Sequence, residues 1–271
     1  MIPCLSEVTT LPSSFAEDVA AYADGGCRAM EVWLTKLEKH LEKSSIAEVH
    51  KLLGDRGMAV PVASYQGGLL LSHGAARTAA FDHFKKRLDV CQALGIRTIV
   101  LVADFATPID ERSLGTAVSS LNQAAIWAAG FGVTLALEFR GSDTFCTSLD
   151  TALALVAQAN EPNLGVCLDL FHFYKGPSKP EDYAGLTAAN LAHVQLCDVP
   201  GVPRELMTDA DRVLPGEGDF HLEPLAATLK RIGYAGTVSV ELMNPVLWKS
   251  KPTQIAELAM ASLERFASKV C

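Results

Sequence analysis

The sequence has no Cys-x-x-Cys pair, no excess of basic charge, no apolar run of about 18 residues and no glycine-rich turn behind an early strand. Each absence removes a class. The seven cysteines are scattered and odd in number, so neither a disulfide framework nor a zinc-finger pattern is present. Cys4, Cys27, Cys91, Cys167 and Cys197 lie within or beside apolar stretches and read as buried, reduced thiols. A formal net charge of −8 speaks against a nucleic-acid partner, because phosphate wants a basic face. The first residues lack a basic segment followed by an apolar one, so a cytoplasmic protein with no membrane partner is expected. Gly25-Gly26 and Gly67-Gly68 are too short to be the phosphate turn that an open dinucleotide-binding sheet requires.

What is present is a large core. Hydrophobic residues make up 49 % of the chain and charged residues 20 %, which excludes disorder. A short apolar segment at 2–5 precedes a loop at 6–10. Ser13 or Ser14 caps a helix at 15–23, ended by Gly25-Gly26. Strands are expected at 29–33, 59–63, 98–102, 133–139, 164–170, 191–196 and 237–242. Helices alternate with them near 46–53, 75–94, 110–130, 149–158, 222–232 and 254–268, several closed by a glycine such as Gly95 or Gly233. Pro61 weakens the strand at 59–63, since proline donates no ladder hydrogen bond. With the opening segment this makes about eight strands alternating with about eight helices, and no linker tract divides them. Such alternation implies parallel strands with right-handed crossovers, and eight units favour a single closed (β/α)8 TIM barrel spanning 1–271.

The later strands end alike. In LGVCLDL (164–170) Val166, Leu168 and Leu170 alternate with Gly165, Cys167 and Asp169. A core strand gains nothing from ending in an unpaired carboxylate. Leu135, Leu137 and Phe139 oppose Thr134, Ala136 and Glu138. Val194 and Leu196 oppose His193 and Gln195, and Val238, Val240 and Leu242 oppose Thr237, Ser239 and Glu241. If the large apolar faces meet the helices, four inward faces carry an oxygen donor at the C-terminal mouth, where barrel enzymes place their chemistry: Glu138, Asp169, Gln195 and Glu241. Hard oxygen donors suit one divalent ion, Mn²⁺ or Mg²⁺ first and Co²⁺ or Zn²⁺ next, and that ion would also pair Asp169. His172, three residues past Asp169, could ligate metal, or bond a substrate oxygen and shuttle protons. His193 is expected in the core below Gln195. Arg212, in the long loop at 198–219, is a candidate for substrate oxygens, with a surface salt bridge to Asp209 or Asp211 as the competing reading. Trp33, the loop at 65–66, Phe105 and Trp248 are candidates for the pocket wall.

At these residues the chain resembles the xylose-isomerase-like barrel superfamily of sugar isomerases and epimerases, which also contains endonuclease IV. The likeness is greatest to its inosose isomerase branch. It rests on ALEF (136–139), GVCLDLFHF (165–173), TDADRVLPGEG (208–218), VSVEL (238–242) and the opening SEVTT (6–10). The family pattern, Glu, Asp, His and Glu around one divalent metal, implies Glu138, Asp169 and Glu241 as ligands here, with Gln195 at the histidine position. Glutamine there is similar to hydroxypyruvate isomerases and to one group of 3-dehydroshikimate dehydratases. The resemblance implies a metal-stabilised enediolate of a small ketose, aldose or inosose, with Glu138 and Glu241 exchanging the proton. His172 and Arg212 match positions that contact substrate, and homo-oligomers are common in the family. The alternative is a dehydratase of the 3-dehydroshikimate or inosose type. It would use the same enolate, with His172 protonating the leaving hydroxyl. Endonuclease chemistry asks for more histidines than these strand ends supply.

Overall fold

The computed structural model describes residues 1–105 and 107–270. Eight parallel strands close into a barrel in sequence order: β1 (Ile2–Ser6), β2 (Ala29–Trp33), β3 (Ala59–Gln66), β4 (Thr98–Val102), β5 (Thr134–Glu138), β6 (Leu164–Asp169), β7 (Leu191–Leu196) and β8 (Thr237–Val240). The helices outside it are α1 (Phe15–Asp24), α2 (Leu34–Leu41), α3 (Ile46–Arg56), α4 (Gly74–Leu94), α5 (Glu111–Ala129), α6 (Leu149–Ala159), α7 (Leu170–Lys175), α8 (Glu223–Ile232) and α9 (Pro252–Val270). The eight-unit barrel read from the alternation is the observed architecture. Among the described residues, no helix is long and apolar enough to cross a membrane.

The strand faces divide as their alternation implies. Leu135, Leu137, Phe139, Val166, Leu168, Val194, Leu196, Val238 and Val240 join the continuous core between sheet and helices. Inside the barrel, Val62, Val100, Ala136 and Cys167 form a small separate apolar plug. Small residues suit that plug because eight inward faces converge on one axis. Six cysteines are described, and all are free and buried.

Three local features depart from the sequence expectation. Pro61 lies within β3, which runs on to Gln66; the register shifts so that 59–62 of β3 oppose 29–31 of β2. One extra residue at this bulge removes the need for a proline N–H, while the Pro61 carbonyl still accepts from Arg97 N at 3.1 Å. Helix α2 starts directly after β2, with Trp33 at its cap position making no side-chain cap bond. The sequence there carries no start signal, yet Leu34 and Leu37 are buried as successive turns of one face. The third departure is at the end of β6. The strand stops at Asp169, and α7 begins at once with the Asp169 carboxylate accepting from Phe171 N at 2.7 Å. Asp169 is therefore both a strand end and a helix N-cap.

Candidate active site

The four strand-end donors do converge on the C-terminal mouth. A cavity of about 280 Å³ opens there, walled by Trp33, Tyr65, Glu138, Arg140, His172 and Glu241 among others. Gln195, Asp209 and Arg212 also line it. Phe105 instead lies in the core against the Phe145 ring, and Trp248 donates its indole N–H to the Val8 carbonyl at 3.1 Å. Of the proposed wall aromatics, Trp33 and Tyr65 reach the cavity.

Glu138, Asp169 and His172 form one tight group. A ligand-type atom from each lies within 4.8 Å of the others, and His172 Nε2 stands 3.7 Å from both the Glu138 and the Asp169 carboxylate. His172 is buried, and its Nδ1 has no hydrogen-bond partner. Burial lowers His172 to about 4, so its imidazole is neutral and can offer a lone pair. Burial, with Asp169 beside it, pushes Glu138 up to about 8. Such a carboxyl exchanges its proton near neutrality.

Arg212 ties the other side together. The loop at 198–219 folds back because Asp198 and Val213 bond each other's backbone and the Asp198 carboxylate accepts from Val199, Gly216 and Phe220 amides. This carries Arg212 into the barrel mouth, where it is 1 % exposed. Its guanidinium donates to Asp169 at 2.8 Å, Glu241 at 3.1 Å and Asp209 at 2.8 Å, and lies 4.5 Å over the Phe171 ring. The surface salt-bridge reading is corrected accordingly: Asp209 is a partner, but the arginine is buried, while Asp211 caps the Thr208 turn. A planar fork with five donors is suited to serving three carboxylates at once.

Gln195 is held by its amide nitrogen. Nε2 donates to Glu241 and to Glu31, both at 2.9 Å, while its oxygen accepts from the Cys167 thiol at 3.1 Å. The reverse amide orientation would set the oxygen against two carboxylates. Below it, His193 is fully buried between Glu31 at 2.9 Å and the Thr237 hydroxyl at 2.6 Å, the core position expected for it. Burial alone would raise Glu31, but the adjacent His193 and further hydrogen bonds outweigh it and hold the carboxyl below its ordinary value. Glu241 goes the other way, since burial raises it well above the usual range and Arg212 offsets this in part.

Glu31, Arg140 and the depth of Arg212 escaped the sequence reading. The signal for Glu31 was there: it sits between Met30 and Val32 in a wholly apolar strand, the same pattern that singled out Asp169. Arg140 follows Phe139 at the start of a loop, and nothing in its immediate sequence points it inward.

The family model for the xylose isomerase-like TIM barrel matches residues 19–266. The chain belongs to that family. It is 30 % identical over 190 residues to the inosose isomerase of Bacillus subtilis, covering 69 % of this chain and 68 % of that one. It is 25 % identical over 242 residues to a 3-dehydroshikimate dehydratase of Pseudomonas aeruginosa, covering 87 % of this chain and 37 % of that longer protein. Among solved structures, the IolI protein with a binding zinc atom superposes with a TM-score of 0.94 at 25 % identity, over 100 % of this chain and 99 % of the other.

Proposed function

We propose that residues 1–271 act as one divalent-metal-dependent isomerase or epimerase domain for a small polyhydroxy carbonyl compound of ketose, aldose or inosose type. The observation that carries this reading is the convergence of Glu138 and Glu241, with His172 and Arg212, on one cavity sized for a small molecule, with Asp169 directly behind His172 and Arg212. The donor set fits a hard or borderline cation, because the buried Asp169 and Glu241 share one arginine, the buried Glu138 has none among the described residues, and a neutral histidine stands within reach. Glu138, Asp169, Gln195 and Glu241 would hold it, with His172 a further donor beside Glu138 and Asp169. Bound there, the ion would act as a Lewis acid on the substrate's carbonyl and neighbouring hydroxyl. The inosose isomerase relatives and the zinc in the IolI structure support this choice.

The chain's own residues supply the proton chemistry. Glu138 and Glu241 stand on β5 and just past β8, so a substrate between them meets a carboxyl on either side. One removes the proton alpha to the carbonyl, and the other returns it at the adjacent carbon or the opposite face. His172 bonds a substrate oxygen through its neutral ring, and Arg212 faces the substrate while fixing the orientation of Glu241 and Asp169. The test is α-proton exchange with ²H₂O, followed by NMR, for a panel of ketoses and inososes with Mn²⁺, Mg²⁺, Co²⁺ or Zn²⁺ added. Glu241→Gln should lower turnover by about 100-fold or more, and full turnover in that variant would refute the site. Growth of an aromatic ultraviolet band from 3-dehydroshikimate, without isomerisation of any sugar, would assign the dehydratase reaction instead.

A further inference from the structure

Two arginines line the cavity, and they are employed very differently. Arg212 is saturated by three carboxylates. Among the described residues, Arg140 has no carboxylate within hydrogen-bonding distance: the nearest oxygen of Asp143 is 3.7 Å from its Nε. That Nε is buried and has no partner, and the Tyr65 hydroxyl at 3.5 Å is at the limit of a hydrogen bond. The Arg140 backbone is nevertheless fixed, its N–H donating to Cys146 O at 3.0 Å and its carbonyl accepting from Asp143 N at 3.0 Å. The side chain is 32 % exposed, and it lines the cavity together with Tyr65, Glu138 and His172. A guanidinium placed firmly by its backbone, beside a phenol and short of acceptors, is a built receptor for a planar pair of oxygens.

We infer that Arg140, assisted by the Tyr65 hydroxyl, binds a carboxylate of the substrate, so that the natural substrate is an acidic polyhydroxy carbonyl compound, a sugar acid or hydroxylated cyclic keto acid, rather than a neutral sugar. This rests on the cavity being the substrate site proposed above. A carboxylate suits the surroundings better than a phosphate. Glu138, Asp209 and Glu241 share the cavity and Asp143 lies beside the arginine, so a second negative charge would meet repulsion on several sides. The volume of about 280 Å³ is also small once a six-carbon skeleton is inside.

Titration calorimetry on the full-length protein tests this, with chelator and separately with Mn²⁺. The probes are D-galacturonate against D-galactose, which differ by carboxylate for hydroxymethyl, then D-galactose 6-phosphate and 3-dehydroshikimate. The expected result is that a carboxylate probe binds more tightly than neutral galactose. Arg140→Met should remove about 10- to 100-fold of that affinity and much less of the affinity for galactose, and Tyr65→Phe should remove less. Circular dichroism melting establishes that both variants fold. Equal binding of carboxylate and neutral probes, no carboxylate binding at all, or an unaltered carboxylate preference in Arg140→Met overturns the inference. Tightest binding of the phosphate probe overturns the choice of carboxylate. An Arg140-dependent carboxylate preference in a protein that exchanges no α-proton of either the neutral or the carboxylate probes would uphold this assignment and sink the isomerase reading, so the two fail separately.

Discussion

Replacing Arg212 by methionine removes one positive charge from a site where three carboxylates depend on it. Asp169 is fully buried, Glu241 nearly so, and Asp209 is 40 % exposed at its side chain. Methionine keeps much of the volume over the Phe171 ring, so the loss is electrostatic rather than a cavity. Removing one partner of a buried ion pair costs about 3–5 kcal/mol because the remaining charge is left uncompensated. The exposed share of Asp209 adds little. For a chain of this size each kcal/mol lowers the melting temperature by roughly 2–4 °C, so a fall of about 6–20 °C is expected in chelator at pH 7.5. Arg212→Lys should fall between the two proteins, since an ammonium keeps the charge but cannot reach three acceptors in one plane. Differential scanning calorimetry at a fixed scan rate measures both. A methionine variant melting within about 2 °C of the parent would show that the guanidinium carries little of the charge balance, and the reasoning for the site would fail with it.

Three further outcomes test other parts of the structure. Lys36 is buried and donates to Asp18 at 2.5 Å and to the Glu7 and Thr10 carbonyls at 3.0 and 2.9 Å, so Lys36→Met should cost about 3–5 kcal/mol in urea unfolding at neutral pH. Burial already raises both Glu7 and Asp18, and a carboxyl raised on folding contributes stability below its unfolded pKa that is lost as pH rises through the folded one. The Lys36→Met deficit should therefore be smaller at pH 5 than at pH 8, and the opposite trend would contradict the assignment. Gly176 follows α7, and the Thr147 and His172 carbonyls crowd the place a Cβ would take there; Gly176→Ala should destabilise by about 1–3 kcal/mol, and an unchanged urea midpoint would refute the close approach. Ser14 caps α1 in a reciprocal pair with Glu17, so Ser14→Ala should cost about 1 kcal/mol, read in the same titration.

Alternation placed the large residues of β5 to β8 against the helices and the small or polar ones inside, and closure into a barrel then follows from eight βα units. Pro61 argued against β3 only because a bulge, which depends on pairing with β2, cannot be seen in one strand. Helix α2 carries no cap signal at all, so tertiary burial of Leu34 and Leu37 decides it. Among site residues, Glu138, Asp169, Gln195, Glu241 and His172 were legible because each breaks or ends an apolar pattern. Glu31 breaks one too.

By itself, then, the sequence determined the period, the number of units and the strand ends that carry oxygen donors, because side-chain alternation is a local property of an extended chain. Tertiary structure alone decided the charge balance. Arg212 and Asp169 are 43 residues apart, and Gln195 and Glu31 are 164 apart. Which acids receive the Arg212 guanidinium and which way the Gln195 amide turns both depend on distances set only when the barrel closes. Electrostatic energy follows those distances, not the order of residues along the chain.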